Sequence, residues 1–157
     1  GLSMGGMESL LLAAVDERVG CIVSVSGQLS WQDVFSTDSW ELIFTGLPLT
    51  ERLRKDRASA ATVYEAFLAQ MPELAVLDAP IVAALLTPRP MLLMTGQRDP
   101  YVTPTAARRT HDAAMQSYQS FPERLQLWID PDVGHAFSPQ MQNRALQWFR
   151  KWLVEQP

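Results

Sequence analysis

Three short apolar runs stand out along the chain, each closed by a polar or glycine-bearing turn. Cys21-Ile22-Val23-Ser24-Val25 ends at Ser26-Gly27. Met91-Leu92-Leu93-Met94-Thr95 ends at Gly96, before a turn carrying Asp99, and Leu125-Gln126-Leu127-Trp128-Ile129 stops at Asp130-Pro131. Runs of this length, rich in large and β-branched apolar residues and bounded by turn formers, predict buried strands. Elsewhere the spacing turns helical. Met4 to Ala14 is dense in helix formers after its glycines and meets a polar stop at Asp16-Glu17-Arg18, which predicts a short buried helix. Pro104 opens a helix to about Tyr118. From about Pro139, Met141, Ala145, Phe149 and Trp152 recur at steps of three or four, and Leu146 and Leu153 widen that stripe.

The stretch from Leu29 to Ala79 differs in texture. Trp31, Phe35, Trp40 and Phe44 alternate with polar residues, and Tyr64, Phe67, Leu68 and Met71 recur at helical spacing. Pro48, Pro72 and Pro80 punctuate it, so two or three short helices are expected, forming an insert at about 29–79. The order helix, strand, helical insert, strand, helix, strand, helix implies an α/β fold with a parallel sheet flanked by helices.

Composition narrows the partners. At 157 residues the chain fits one domain, and its 47% hydrophobic and 19% charged residues are ordinary for a globular protein. Thirteen basic against seventeen acidic residues leave a net charge of -4, with no cluster of Lys, Arg and aromatics, so nucleic acid is not an expected partner. No apolar run approaches a membrane span. The one cysteine, Cys21, allows no internal disulfide, reads as core filler, and favours a reducing, cytoplasmic location; no targeting signal is readable.

The chemistry begins at the first residues. Gly1-Leu2-Ser3-Met4-Gly5 reads G-x-S-x-G and runs straight into a helical segment. In a nucleophile elbow of this kind the serine sits on a strained turn between strand and helix. Small residues two before and two after let neighbouring backbone pass, and the backbone N–H of Met4 faces the place where an oxyanion would form. A serine hydroxyl needs a base, and the base needs an orienting carboxylate. Of two histidines, His135 lies in a loop just past a predicted strand, whereas His111 falls within a helix pattern. Asp99, in the turn after the second strand, is the favoured acid. Asp132 reads more naturally as a turn former in Asp130-Pro131-Asp132, and Asp33 and Asp38, after the first strand, stay open as alternatives.

Serine, then acid, then histidine, each after a strand, is the chain order of the α/β-hydrolase triad. The chain resembles the C-terminal part of an α/β-hydrolase of the dienelactone hydrolase, acetyl xylan esterase and prolyl-oligopeptidase-like group. The resemblance rests on Gly1-Leu2-Ser3-Met4-Gly5-Gly6, on Pro90 to Val102 with Gly96-Gln97-Arg98-Asp99-Pro100, and on Gly134-His135-Ala136-Phe137 with the closing helix. It implies a serine hydrolase acting on a small ester through an acyl-enzyme, without metal or organic cofactor. A prolyl-oligopeptidase-like peptidase, which an upstream β-propeller would favour, and a non-catalytic fragment or binding module are the alternatives. Residues 1–157 would then be the C-terminal part of one domain with the insert as a lid. The strands that precede the elbow in relatives, and the loop giving a second oxyanion donor, would come from an upstream segment or another chain. Without them the first strand would show an unpaired edge.

Three side readings complete the picture. The insert aromatics are expected to pack their own core rather than line a pocket. Arg98, Arg108 and Arg109 are expected to be solvated surface charge rather than contacts for an anionic substrate. Met7 is expected to serve packing, and Met4 to matter through its backbone.

Overall fold

A computed structural model describes residues 1–37 and 39–155. Its centre is a three-stranded parallel sheet in the order β1 (Ile22–Val25), β2 (Met91–Gly96), β3 (Leu125–Asp130). The register pairs Ile22 with Met91 and Met91 with Leu125. All six residues of β2 are buried, as expected of a strand covered on both faces.

Alternation along the strands divides the core. Ile22, Met91, Leu93 and Leu125 face a large cluster built with Leu10 of α1 (Met4–Val15), the insert, and Ala114 of α7 (Pro104–Met115). Val23, Val25, Leu92 and Met94 face a smaller cluster with α8 (Pro139–Arg150). Thr103 and Ser138 cap α7 and α8 by accepting from Ala106 N and Met141 N, and each is followed by a proline that suits the first helical turn. On α8 the buried stripe is Met141, Ala145, Trp148, with Trp152 continuing it in the π-helical turn that follows; Phe149 packs at its margin. Leu146 and Leu153, expected to widen the stripe, are exposed, and Trp148 lies in the buried stripe instead.

The insert contains more helices than its prolines announced. Trp31–Ser36 (α2), Ser39–Ile43 (α3), Pro48–Lys55 (α4) and Ala60–Gln70 (α5) are followed by a 3-10 turn at Pro72–Ala75 and by α6 (Ala79–Ala84), which packs on α1 and α7. Proline marks only some of these breaks. Others fall where Gly46 and Arg57 take positive φ and where Ser59 caps α5. The aromatics pack on one another, with Phe35, Phe44 and Phe67 stacked or tilted at centroid distances of 4.5 to 5.8 Å, but within the large cluster they share with the sheet and α1 rather than in the separate core expected. Among the described residues, side-chain hydrogen bonds add to this packing in holding the insert to the main fold: Arg109 Nε donates to the buried Asp33 at 2.6 Å, and Ser39 Oγ donates to Pro100 O at 2.8 Å.

The β1 edge, expected to be open, is lined over its last residues by Gly1-Leu2-Ser3. Leu2 bridges Val25 in parallel, Val25 N donates to Gly1 O at 2.9 Å, and Ser3 N donates to Val25 O at 2.8 Å. No helix among the described residues is long and apolar enough to cross a membrane.

Cys21 is half-buried against the smaller cluster, and burial pushes its thiol up to about 11. The nucleophilic thiolate is therefore scarce at pH 8 in the folded protein. Iodoacetamide should modify Cys21 far more slowly in the native chain than in urea, as followed by intact mass.

Candidate active site

The elbow is strained and firmly held. Ser3 takes φ 58 and ψ -124, a region costly for any residue with a side chain. Backbone bonds on both sides fix it: its N donates to Val25 O, and its O accepts Gly6 N at 2.9 Å and Met7 N at 3.0 Å. The glycines divide their roles differently from the sequence reading. A Cβ on Gly1 would overlap the Gly5 carbonyl, and one on Gly6 would stand 2.7 Å from Val25 O. Gly5 faces open space, so Gly1 and Gly6 are the positions where backbone passes close. Met4 N, at the start of α1, has no intramolecular acceptor among the described residues and lies beside the serine, while the Met4 side chain is exposed and Met7 is buried in the core.

Asp99 follows β2 and is buried, with both oxygens of its carboxylate engaged. Oδ1 accepts Tyr101 N at 2.9 Å and Val102 N at 3.0 Å, a tight turn closed on the side chain itself. Thr95 Oγ1 donates to Val102 O at 2.9 Å and stands 3.4 Å from Oδ2. His135, in the loop after β3, brings Nδ1 to 2.9 Å from Asp99 Oδ2 and Nε2 to 2.8 Å from Ser3 Oγ. A carboxylate can only accept, so Nδ1 carries the proton and Nε2 is left free to accept the Ser3 hydroxyl. Ser3, His135 and Asp99 thus form one unbroken line of hydrogen bonds.

The rival residues are elsewhere. His111 sits on α7 against Asp112 at 2.9 Å. Asp33 is occupied by Arg109, and Asp132 is exposed, with its backbone O taken by the Arg98 guanidinium. Asp38 lies outside the described residues. Of the arginines, Arg98 and Arg109 have these protein partners and Arg108 is exposed. Among the described residues no group of three or more His, Cys, Asp or Glu could hold a metal ion.

A cavity of about 380 Å³ opens beside Ser3 and His135. Met4, Met7, Leu29, Ile43, Tyr101 and Val102 wall it, with Ser26 as a further polar group. Leu29 and Ile43 come from the insert, but the prominent aromatics do not take part. Sequence reasoning assigned no role to Tyr101, whose ring packs on the His135 imidazole at a centroid distance of 4.7 Å. Its place two residues after the acid was the available signal. Ser26, which the sequence marks only as a turn, takes φ 49, stands 3.5 Å from Thr95 Oγ1 and lines the cavity.

The family model for the prolyl oligopeptidase family matches residues 1–156. The chain belongs to the prolyl oligopeptidase family. No match is found among curated proteins. Among solved structures, the chain is similar to an esterase of Pyrococcus furiosus (TM-score 0.64, 18% identity, 97% of this chain and 52% of that one). It is also similar to a family 15 carbohydrate esterase, a glucuronoyl esterase of Caldicellulosiruptor kristjansonii (0.68, 17%, 100% and 43%). A third is the glucuronoyl esterase catalytic domain of Hypocrea jecorina (0.63, 18%, 100% and 44%). At these identities the likeness establishes the α/β-hydrolase fold, and the chain spans about half the length of the structures it matches.

For this member of the prolyl oligopeptidase family, the two glycines after the serine should respond oppositely to a methyl group. Gly5→Ala should hold or raise stability by up to about 1 kcal/mol, through helix propensity. Gly6→Ala should lower it by roughly 1–3 kcal/mol as Val25 O is forced away. Urea unfolding of both variants checks the pair.

Proposed function

We propose that this chain carries the nucleophile, base and acid of a serine hydrolase that cleaves carboxylic esters with a neutral, apolar acyl group. The observation that carries the reading is the continuous line from Ser3 Oγ through His135 to Asp99, at 2.8 and 2.9 Å. Ser3 Oγ attacks the ester carbonyl carbon while His135 Nε2 takes its proton; the negative oxygen of the tetrahedral intermediate forms beside Met4 N–H. Collapse breaks the bond to the alcohol, which leaves with the proton from His135. Water then attacks the acyl-serine by the same route, releasing the acid and restoring Ser3. Asp99 keeps the imidazole in its tautomer and steadies the cation formed in each step.

The cavity supports the acyl preference. Its walls are mostly apolar, and among the described residues His135 and Tyr101 are the only lining residues of an ionisable type, so a charged acyl group would lose its hydration without a partner. Membership of the prolyl oligopeptidase family favours peptide cleavage as the second reading. Among the described residues, none that lines the cavity is a carboxylate that could receive the charged amino terminus an exopeptidase binds. The inserted helices would act as a cover, since Leu29 and Ile43 reach the cavity from them.

A fluorophosphonate should label the native chain at Ser3, and the label should vanish in Ser3→Ala. A short p-nitrophenyl ester should be turned over, with kcat falling by on the order of a thousandfold or more in His135→Ala. A folded chain that neither labels nor turns over ester would sink the reading. Cleavage of proline peptides with no ester turnover would replace it with the peptidase.

A further inference from the structure

The loop that carries His135 runs from Asp130 to Ser138, and those two side chains join its ends. Ser138 Oγ–H donates to Asp130 Oδ2 at 2.6 Å, within the range of a hydrogen bond to an ionised oxygen. Asp130 Oδ1 accepts Asp132 N at 3.1 Å. Both residues are buried, Asp130 at 2% exposure and Ser138 at 9%. Capping α8 does not account for this arrangement, because Ser138 Oγ accepts Met141 N at 3.1 Å without help from a carboxylate. No ion pair among the described residues includes Asp130, so its burial is offset only by neutral donors. A carboxylate at that cost has another task.

The task is visible in how the loop is held. Before His135 it is zipped to the acid turn: Gln97 N donates to Asp130 O at 2.7 Å, Arg98 N donates to Val133 O at 3.0 Å, and a Cβ on Gly96 would overlap the backbone of Val133 and Gly134. After His135, Ala136 N donates to Gly134 O at 3.0 Å, Phe137 packs at the margin of the smaller cluster, and the side-chain hydrogen bonds are Gln142 Nε2 to Phe137 O, which is exposed, and the buried Ser138 to Asp130. We propose that Asp130 and Ser138 form a clasp that sets the reach of His135 toward Ser3 and Asp99, making both of them positioning residues for the imidazole. The kinetic consequence rests on the serine-hydrolase reading; the geometric one does not.

The test uses the whole chain and reads His135 directly by proton–nitrogen NMR, with His111→Gln removing the other imidazole. Wild type should show a low-field Nδ1 proton protected by Asp99. Ser138→Ala, still folded by circular dichroism, should lose that proton to exchange, and Ser138→Thr should restore it. Fluorophosphonate labelling of Ser3 should slow by roughly tenfold or more in Ser138→Ala, because small misplacements of a catalytic base are costly. Ser59→Ala, which removes the cap of α5 away from the site, should change neither readout. Asp130→Asn, which keeps the shape but changes the acceptor set, should fall between wild type and Ser138→Ala. A folded Ser138→Ala that keeps the protected proton overturns the clasp, as does a wild type that lacks it. A wild type with the proton but no labelling instead overturns the hydrolase reading, and the proton alone then decides the clasp.

Discussion

Parallel pairing on both sides of β2 is the constraint on which the rest of the structure depends. It sends the C-terminal ends of β1, β2 and β3 to one edge of the sheet, so the loops leaving them must meet there. Asp99 leaves β2 and His135 leaves β3 at this edge. Gly1-Leu2-Ser3, running beside β1 in the same sense, delivers the serine to it as well. Ser3 and His135, separated by 132 positions, are thereby brought to 2.8 Å.

Within that frame, precision comes from neutral donors rather than from charge pairing. The Asp99 carboxylate is held by two backbone N–H groups and by His135, and the strain at Ser3 is opposed by backbone bonds on each side. Such an arrangement holds the groups in place through the fold itself. The insert belongs to the same economy of fixed parts. Arg109 holds Asp33, Ser39 holds the carbonyl of Pro100 in the acid turn, and Leu29 and Ile43 close one side of the cavity.

Family and fold constrain the chemistry to different depths. The prolyl oligopeptidase family accounts for the order of the motifs and the elbow, while the esterases of similar fold share architecture at 17 to 18% identity. Neither fixes the acyl group or the leaving group. Those depend on the cavity wall, which one fold can vary freely through its loops and inserts.

The three strands, the helices that follow them, the elbow and the positions of Asp99 and His135 were legible in the sequence. Each is a local pattern: an apolar run closed by a turn, a proline that opens a helix, a glycine-rich bend before a helix. What local pattern could not supply was contact between distant segments. Trp148 rather than Leu146 completes the α8 stripe, Gly6 rather than Gly5 meets Val25, and Leu29, Ile43 and Tyr101 rather than the prominent tryptophans line the cavity. The sequence by itself therefore determined the three strands, the helices that flank them and which residues have the chemistry for a hydrolase, because propensity and turn formation act over a few residues. Only the tertiary structure decided which side chains touch, because that depends on how the two faces of the sheet are filled from segments far apart in the chain.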